Sequence, residues 1–356
     1  GAMLARSASR LGLLQDARPD HVSEAKRLID RGAYSYESLP EVSDIRVEAT
    51  VSGGGHVACC VLSEGHANIE SIVVDGEVIQ RREAKDASAN TTEYRQVLQA
   101  MSLSQILEVA VHLDEEDRRF LNEGIRLNLA MAERGRSMKG SAGQLRHMHE
   151  IGVLAEDLFY RTKIQVAAAV DARMAGVPAP VMTSGGSGNQ GVVAILVPYL
   201  VGKERGIAEP RILESVAVAH LLNAYVKCFL GELSVVCGCS VAAAVAAATA
   251  IVYQHEGTHL DKITWAVNNV VGDLSGLICD GAKPGCSMKT VSGVDAAMRA
   301  AFMAIEGYGI ADDGLLGESA EQSIRNLSRI TLEGMFPVDP TLVTILQEKA
   351  ARSGNA

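Results

Sequence analysis

The chain has 356 residues, a net charge of −10, 47% hydrophobic residues and only 4% aromatic residues. This acidic balance, without a dense block of lysine or arginine, argues against a nucleic-acid partner. The length indicates two domains or lobes, and an apolar mass made of Ala, Val, Leu and Ile favours packed helices over an all-β sandwich.

The first residues show no signal-peptide pattern, because Met3 leads into polar residues without a sustained apolar core. The seven cysteines, an odd number, are therefore expected to be reduced thiols of a cytoplasmic protein. Gly1-Ala2-Met3 resembles the remnant of a cleaved tag, so residues 1–19 are assigned to that remnant and a leader.

Residues 20–100 are predicted to form a small α/β lobe. A short helix at 20–31 ends at Gly32. Alternation of apolar and polar residues then predicts a small antiparallel sheet, which we expect to pack on that helix. Its last two strands flank Asp75-Gly76, the signature of a tight hairpin turn. The strands are predicted at 45–51, 57–62, 69–74 and 77–80.

Residues 101–352 are predicted to form a helical, cluster-binding domain. The segment 233–253 is uncharged and long enough to span a bilayer, but its many alanines favour the central helix of a soluble bundle, so no membrane contact is expected. The predicted fold is α+β: a small antiparallel-sheet lobe followed by a large all-helical bundle with an Ala-rich central helix. The helices are predicted at 103–113, 115–134, 144–174, 189–202, 208–230, 238–254, 261–278, 291–306, 319–334 and 339–352.

Three cysteines in the second half form the first candidate site: Cys239, Cys279 and Cys286. Thiolates favour soft metal centres, zinc or iron–sulfur, and the Gly-Pro loop between the last two lets thiolates converge. Three thiolates would leave one iron of a four-iron cluster open as a Lewis acid. The alternative is that they are small buried hydrophobes, which is the interpretation of the other four, Cys59, Cys60, Cys228 and Cys237.

A Gly-rich stretch, 184–191, forms the second candidate site. It matches the dinucleotide fingerprint formally, but its Pro-rich approach and the absence of a βαβ pattern argue against NAD. At a helix N-terminus its free amides could instead bind a carboxylate; the alternative is a plain turn. Arg173, just upstream, could pair with a carboxylate or form an internal salt bridge with Asp171 or another acid.

Two further groups carry possible chemistry. His255-Glu256-Gly257-Thr258-His259 matches the zinc-protease pattern, which makes a zinc hydrolase a distant alternative. A glycine at its centre costs about 1 kcal/mol of helix stability, which favours a polar surface loop between two helices. His66 and Asn68, between two strands, could bind a substrate carboxylate or position a base; the alternative is a solvated loop.

Five motifs occur along the chain in a fixed order: Glu-Gly-His-Ala-Asn-Ile at 64–69, Asp-Ala-Arg-Met at 171–174, Gly-Ser-Gly-Asn-Gln-Gly at 186–191, Gly-Asp-Leu-Ser-Gly-Leu-Ile-Cys-Asp-Gly-Ala at 272–282 and Cys-Ser-Met-Lys at 286–289. Together they resemble the L-cysteine desulfidase family, iron–sulfur relatives of the bacterial L-serine dehydratase alpha chain. The resemblance extends from about residue 20 to residue 352.

The resemblance implies a [4Fe-4S] cluster held by the three cysteines at 239, 279 and 286, with the fourth iron free to bind substrate. It implies elimination from L-cysteine to give pyruvate, ammonia and sulfide, with L-serine dehydration as the close alternative. The residues that it places at the amino-acid substrate are Ser187, Gly188 and Asn189, with His66 and Asn68 nearby.

The chain departs from the family pattern in one respect. The family usually carries an N-terminal Leu-Gly-Cys-Thr-Glu-Pro motif whose cysteine is the proposed base, and no such motif occurs in this sequence. Three explanations stay open: a truncated chain, a separate subunit that supplies the segment, or a relative with different chemistry. The base is therefore unassigned, and we expect either a homodimer or a partner that supplies the segment, in which case this chain is a partial subunit.

Overall fold

The structure, a computed structural model, describes residues 14, 16–39, 45–63, 65, 68–82, 88–231 and 233–353. The chain divides into two compact units, residues 1–89 with 343–356, and residues 90–342. A four-stranded antiparallel sheet precedes a long succession of helices, so the predicted α+β fold is confirmed.

The first unit contains the sheet. Its strands pair with their neighbours in chain order. Both central residues of the last hairpin turn have positive φ, 52° at Asp75 and 86° at Gly76, which the Asp-Gly sequence accommodates. The predicted packing of the first helix on the sheet stays a prediction. The elements are α1 (Pro19–Asp30), β1 (Arg46–Gly53), β2 (His56–Ser63), β3 (Ile69–Val74) and β4 (Glu77–Arg81).

The remaining helices contain most of the apolar core. They are α2 (Ser88–Ala100), α3 (Leu103–Val111), α4 (Glu115–Gly135), α5 (Ser141–Glu150), α6 (Leu158–Met174), α7 (Gly188–Glu204), α8 (Glu209–Leu230), α9 (Ala242–Glu256), α10 (Leu260–Leu274), α11 (Gly285–Ile305), α12 (Ala320–Arg329) and α13 (Val338–Ser353), with a π-helical turn at Ile330–Gly334.

Helix α9 is the centre of the helical unit. Every residue from Ala242 to Gln254 is buried, because α7, α8, α10 and α11 all pack around it. Its small side chains allow neighbouring helices to approach closely, and a helix enclosed on all sides is apolar all round. The prediction of an Ala-rich central helix is therefore confirmed.

Helix α8 is the one helix within the described ranges whose length and composition would allow it to cross a membrane. In the structure, 61% of its apolar window is buried inside the protein. Burial of this kind is what a core helix of a bundle requires.

The helix predictions were wrong at three places. The run 144–174 is two helices, because Gly152 has φ 77° and the Asp157 side chain caps α6 by accepting from the Tyr160 amide at 2.8 Å. Helix α2 was not predicted, since its polar first half has low helix propensity. Helix α11 begins at Gly285 rather than 291, so Cys286 lies in its first turn.

Candidate active site

The Gly-rich loop ends in a tight turn at the start of α7. Ser184 and Ser187 exchange two backbone hydrogen bonds of 3.1 and 3.0 Å, and the two residues between them, Gly185 and Gly186, have φ of 53° and 79°. Glycine adopts this left-handed backbone without strain. Ser187 is the N-cap of α7, yet its hydroxyl caps no backbone amide and stays available for another partner.

A short β-bridge brings the cysteine segments together. Val236 pairs with Ile278; the Cys237 amide donates to the Leu277 carbonyl at 2.8 Å, and the Cys279 amide donates to the Val235 carbonyl at 2.6 Å. Two segments about forty positions apart in the chain thus lie side by side, and Cys239 follows directly on one of them.

The thiols form one connected group. Cys237 lies within hydrogen-bonding reach of both Cys239 and Cys279. The hydrogen bond from Cys237, with a smaller contribution from the Ser187 hydroxyl, lowers the pKa of Cys239 despite its burial. The pKa of Cys279 is raised, first by its hydrogen bond to Cys237 and then by burial. Cys286 lies close enough to Cys239 to oppose its ionisation.

The Gly-rich loop lies directly against this cluster of cysteine thiols. The Ser187 hydroxyl is 3.8 Å from the Cys239 sulfur. Gly238 faces Gln190 so closely that a Cβ at Gly238 would lie 2.6 Å from the Gln190 side-chain nitrogen, Nε2. The close approach explains a glycine between two cysteines. The two sites that the sequence suggested separately are therefore parts of one site.

Arg173, at the end of α6, points into the same site. Its guanidinium donates to the Asn189 side-chain oxygen, and a Cβ at Gly188 would collide with it. Asp171 instead accepts from the amides of Ser141 and Ala142 at the start of α5. Burial lowers the pKa of Arg173, and Cys239 opposes that shift. In the described part of the chain no carboxylate pairs with Arg173, so its charge is available to an anion.

Lys227 is a site residue that the sequence analysis missed. It is 8% exposed, on α8, and its side chain lies against Gly185 of the loop. Burial lowers the pKa of Lys227 to about 8, while Cys239 and Cys279 act in the opposite direction. A lone lysine in an apolar helix was its only sequence signal. Cys237 was also missed, although Cys237-Gly238-Cys239 is an evident pair of thiols in the sequence.

The predicted loop pair from the sheet belongs to the other unit. His66 lies outside the described residues, so its role stays a prediction. Asn68 closes the connection between β2 and β3, where its carbonyl accepts from the Ser63 amide at 3.1 Å. A Cβ at Gly65 would come within 2.9 Å of the Asn68 side-chain nitrogen.

The zinc-protease pattern does not form a metal site in the described residues. Helix α9 ends at Glu256, and Gly257 has φ 69°, so the two histidines do not share one helix. His255 bonds the Ile251 carbonyl at 3.0 Å, and Glu256 pairs with Lys262 at 3.0 Å. The interpretation as a break between two helices is confirmed.

Comparison with known proteins gives the family. The model of the serine dehydratase alpha chain matches residues 20–344. This chain belongs to that family. A UPF0597 protein of Geobacter sulfurreducens is 42% identical over 350 residues, which cover 98% of this chain and 82% of that protein. A UPF0597 protein of Elusimicrobium minutum is 41% identical over 350 residues, with the same coverage. No solved structure matches the chain.

Family membership confirms the resemblance to the serine dehydratase alpha chain and supports a lyase-type enzyme of amino-acid catabolism. The geometry fits such chemistry. A helix N-terminus and an arginine face a group of thiols, so an anionic group of a small molecule could be bound beside them. A buried lysine adds a second positive charge to the same place.

Proposed function

We propose that this chain is an iron–sulfur-dependent lyase that acts on L-cysteine in the cytoplasm. In the reaction L-cysteine loses its α-proton and its thiol, and the resulting aminoacrylate takes up water to give pyruvate and ammonia, with sulfide released. The observation that carries the proposal is the contact of 3.8 Å between Ser187 of the Gly-rich loop and Cys239 of the thiol group.

The residues that would hold a [4Fe-4S] cluster are Cys239, Cys279 and Cys286. Two half-buried thiols and one buried thiol, on three separate segments of the chain, suit such a cluster. Within the described residues, no group of three His, Cys, Asp or Glu side chains is arranged to hold a metal ion. A cluster is larger and takes each thiolate on a different iron, so that finding argues against zinc rather than against a cluster. When bound, the cluster would supply a Lewis acid for the leaving group.

The other residues bind and orient the substrate. Arg173, steadied by Asn189, and the free amides at the start of α7 are placed to take the α-carboxylate. The Ser187 hydroxyl, free of any capping role, can hold the substrate beside Cys239. Arg173 and Lys227 are both buried in part, which strengthens their attraction for an anion.

L-Serine is the close alternative substrate, because the hydroxyl and thiol leaving groups differ in size by an amount that a pocket discriminates only modestly. A second alternative is a partial subunit that needs a partner to supply the general base, since the family's N-terminal cysteine motif is absent from this sequence. Losing a positioned base forfeits roughly 10²–10⁴ in rate.

The test begins with iron and acid-labile sulfide per chain after anaerobic reconstitution. Sulfide release from L-cysteine and pyruvate formation from L-serine are then measured, with D-cysteine as the control for stereospecific binding. About four irons per chain and enzyme-like sulfide release support the lyase. Faster turnover of L-serine assigns the alternative substrate.

A cluster without either activity supports the partial subunit, and adding the missing segment should then restore turnover. A chain that binds no iron after reconstitution contradicts the cofactor assignment and returns the three cysteines to structural roles. Stoichiometric zinc that is lost in His255→Ala would revive the hydrolase.

A further inference from the structure

A second cavity lies away from the thiol group, between α4, α5, α6 and α7. Its volume is about 640 Å³, within the range of cavities that hold small ligands. None of the residues that line it belongs to the candidate active site. Helix α6 contributes to both places, with its first half at this cavity and Arg173 at its other end.

The charge of the cavity is opposite to that of the chain. Four cationic side chains line it, against two carboxylates, in a protein whose net charge is −10. The cations are Arg136, Arg146, Arg161 and Lys203, and the carboxylates are those of Glu156 and Glu204. In an acidic chain, a local excess of positive charge attracts anions.

Ion pairing leaves one cation of the cavity over. Arg161 takes both carboxylates, with its Nε 2.9 Å from Glu204 and its Nη1 3.7 Å from Glu156. Lys203 pairs with Glu209 at 3.2 Å, and Arg136 pairs with Glu133 at 3.5 Å between exposed groups. For Arg146 the described part of the chain offers no ion pair or hydrogen bond. Burial raises the pKa of Tyr160, and the nearby charge of Arg146 opposes that shift.

Thr162 provides an independent observation. It lines the cavity and is 1% exposed, yet its hydroxyl oxygen has no hydrogen-bond partner in the described residues. Buried hydroxyls in proteins are normally bonded, since an unmade bond is costly. A threonine inside a helix can usually bond a carbonyl one turn back. The oxygen is shielded from solvent, so the Thr162 side chain must turn toward the cavity to meet a ligand there.

Apart from Tyr160 and Gln165, the rest of the wall is apolar. Ala132, Ile164, Ala168 and Leu200 line it. Such a wall offers no partner to a bare inorganic ion, but it suits a hydrocarbon chain attached to the charged group.

We propose that this cavity binds a small organic anion, with its carboxylate or phosphate group between Arg146, Arg136 and the Thr162 hydroxyl and its apolar part against the α6–α7 wall. The site is separate from the proposed active site, and the proposal does not depend on the lyase reaction.

The experiment measures binding to the full chain by titration calorimetry with two probes, 4-methylpentanoate and butyl phosphate. The neutral 4-methylpentanamide is the control ligand. At least one anion should bind and the amide should not. Preference for one of the anions tells carboxylate from phosphate.

Three variants locate the site. Arg146→Gln should weaken binding about tenfold or more, because it removes a charge-assisted hydrogen bond. Thr162→Val keeps the side-chain shape, removes the hydroxyl and should weaken binding about fivefold. Arg134→Gln, an exposed position on α4 with the same change of charge, should leave affinity unchanged.

The proposal is overturned if neither anion saturates the chain at millimolar concentration. Equal binding of the amide, or an equal loss in the Arg134 and Arg146 variants, also overturns it, since either would show adventitious association rather than a built site. Thermal unfolding of each variant verifies that it is folded.

Discussion

Replacing Lys227 by methionine is expected to stabilise the iron-free chain at neutral pH. Lys227 is 8% exposed, and burial lowers its pKa from the usual 10.5 to about 8. A lowering of the pKa by about 2.5 corresponds to about 3.5 kcal/mol, at about 1.4 kcal/mol for each factor of ten. Methionine has a similar length and no charge, so it removes the cost of burying an ammonium group.

The sign of the pH dependence follows from the lowered pKa. Between about pH 8 and 10.5 the unfolded chain holds a proton on Lys227 that the folded chain has released. Unfolding therefore takes up protons, and stability rises with pH across that window. The cost is complete below about pH 8 and has fallen to roughly half by pH 9.5.

The assay is chemical denaturation of the iron-free, reduced chain at pH 7 and pH 9.5. The free energy of unfolding of Lys227→Met should exceed that of the parent protein by up to about 3.5 kcal/mol at pH 7, and by about half as much at pH 9.5. Lys139→Met, an exposed lysine, is the control and should change neither value. All three proteins carry the same cysteines, so the pH dependence of the difference reports on Lys227.

Equal stability of the parent and the Lys227 variant at both pH values would refute this reasoning. It would mean that the ammonium group is fully solvated or compensated in the folded chain. A buried charge retained at a cost to stability is typical of a functional position.

Three substitutions test the rest of the site. Cys279→Ala should reduce the iron content after reconstitution from about four per chain to near zero. The control Cys59→Ala, in β2, should retain its iron. Intact iron in the Cys279 variant contradicts the ligand assignment. Asn189→Ala should raise KM about tenfold or more with iron retained, because Arg173 loses its partner; unchanged kinetics would remove the loop from the site. Gly191→Ala drives a Cβ into the Met182 carbonyl and should cost about 2 kcal/mol or more in thermal unfolding, whereas Gly276→Ala, which meets open space, should not.

Local pattern was sufficient where local physics decides the structure. The Asp75-Gly76 turn and the alternating strands around it were predictable, since turn type and register depend on neighbouring residues. The uncharged, Ala-rich segment could only be stable when enclosed, and α9 is enclosed. The helix start after Ser187 followed from the Gly-rich loop.

The candidate site depended on pairings that leave little trace in the sequence. The bridge between Val236 and Ile278 joins segments about forty residues apart, and nothing local in either segment names the other. Cys237 was interpreted as a small buried hydrophobe, and it is buried, but it also lies beside two other thiols. Burial is a property of one residue, whereas a cluster of thiols is formed by several residues together.

The sequence by itself determined most of the secondary elements, the central helix and the motifs that identify the family. Only the tertiary structure decided that the Gly-rich loop meets the cysteines, that Lys227 points at them, and that a cationic cavity lies beside α6. Helix and strand periods follow from contacts within a few residues, whereas a site is assembled from side chains that only the packing of distant helices brings together.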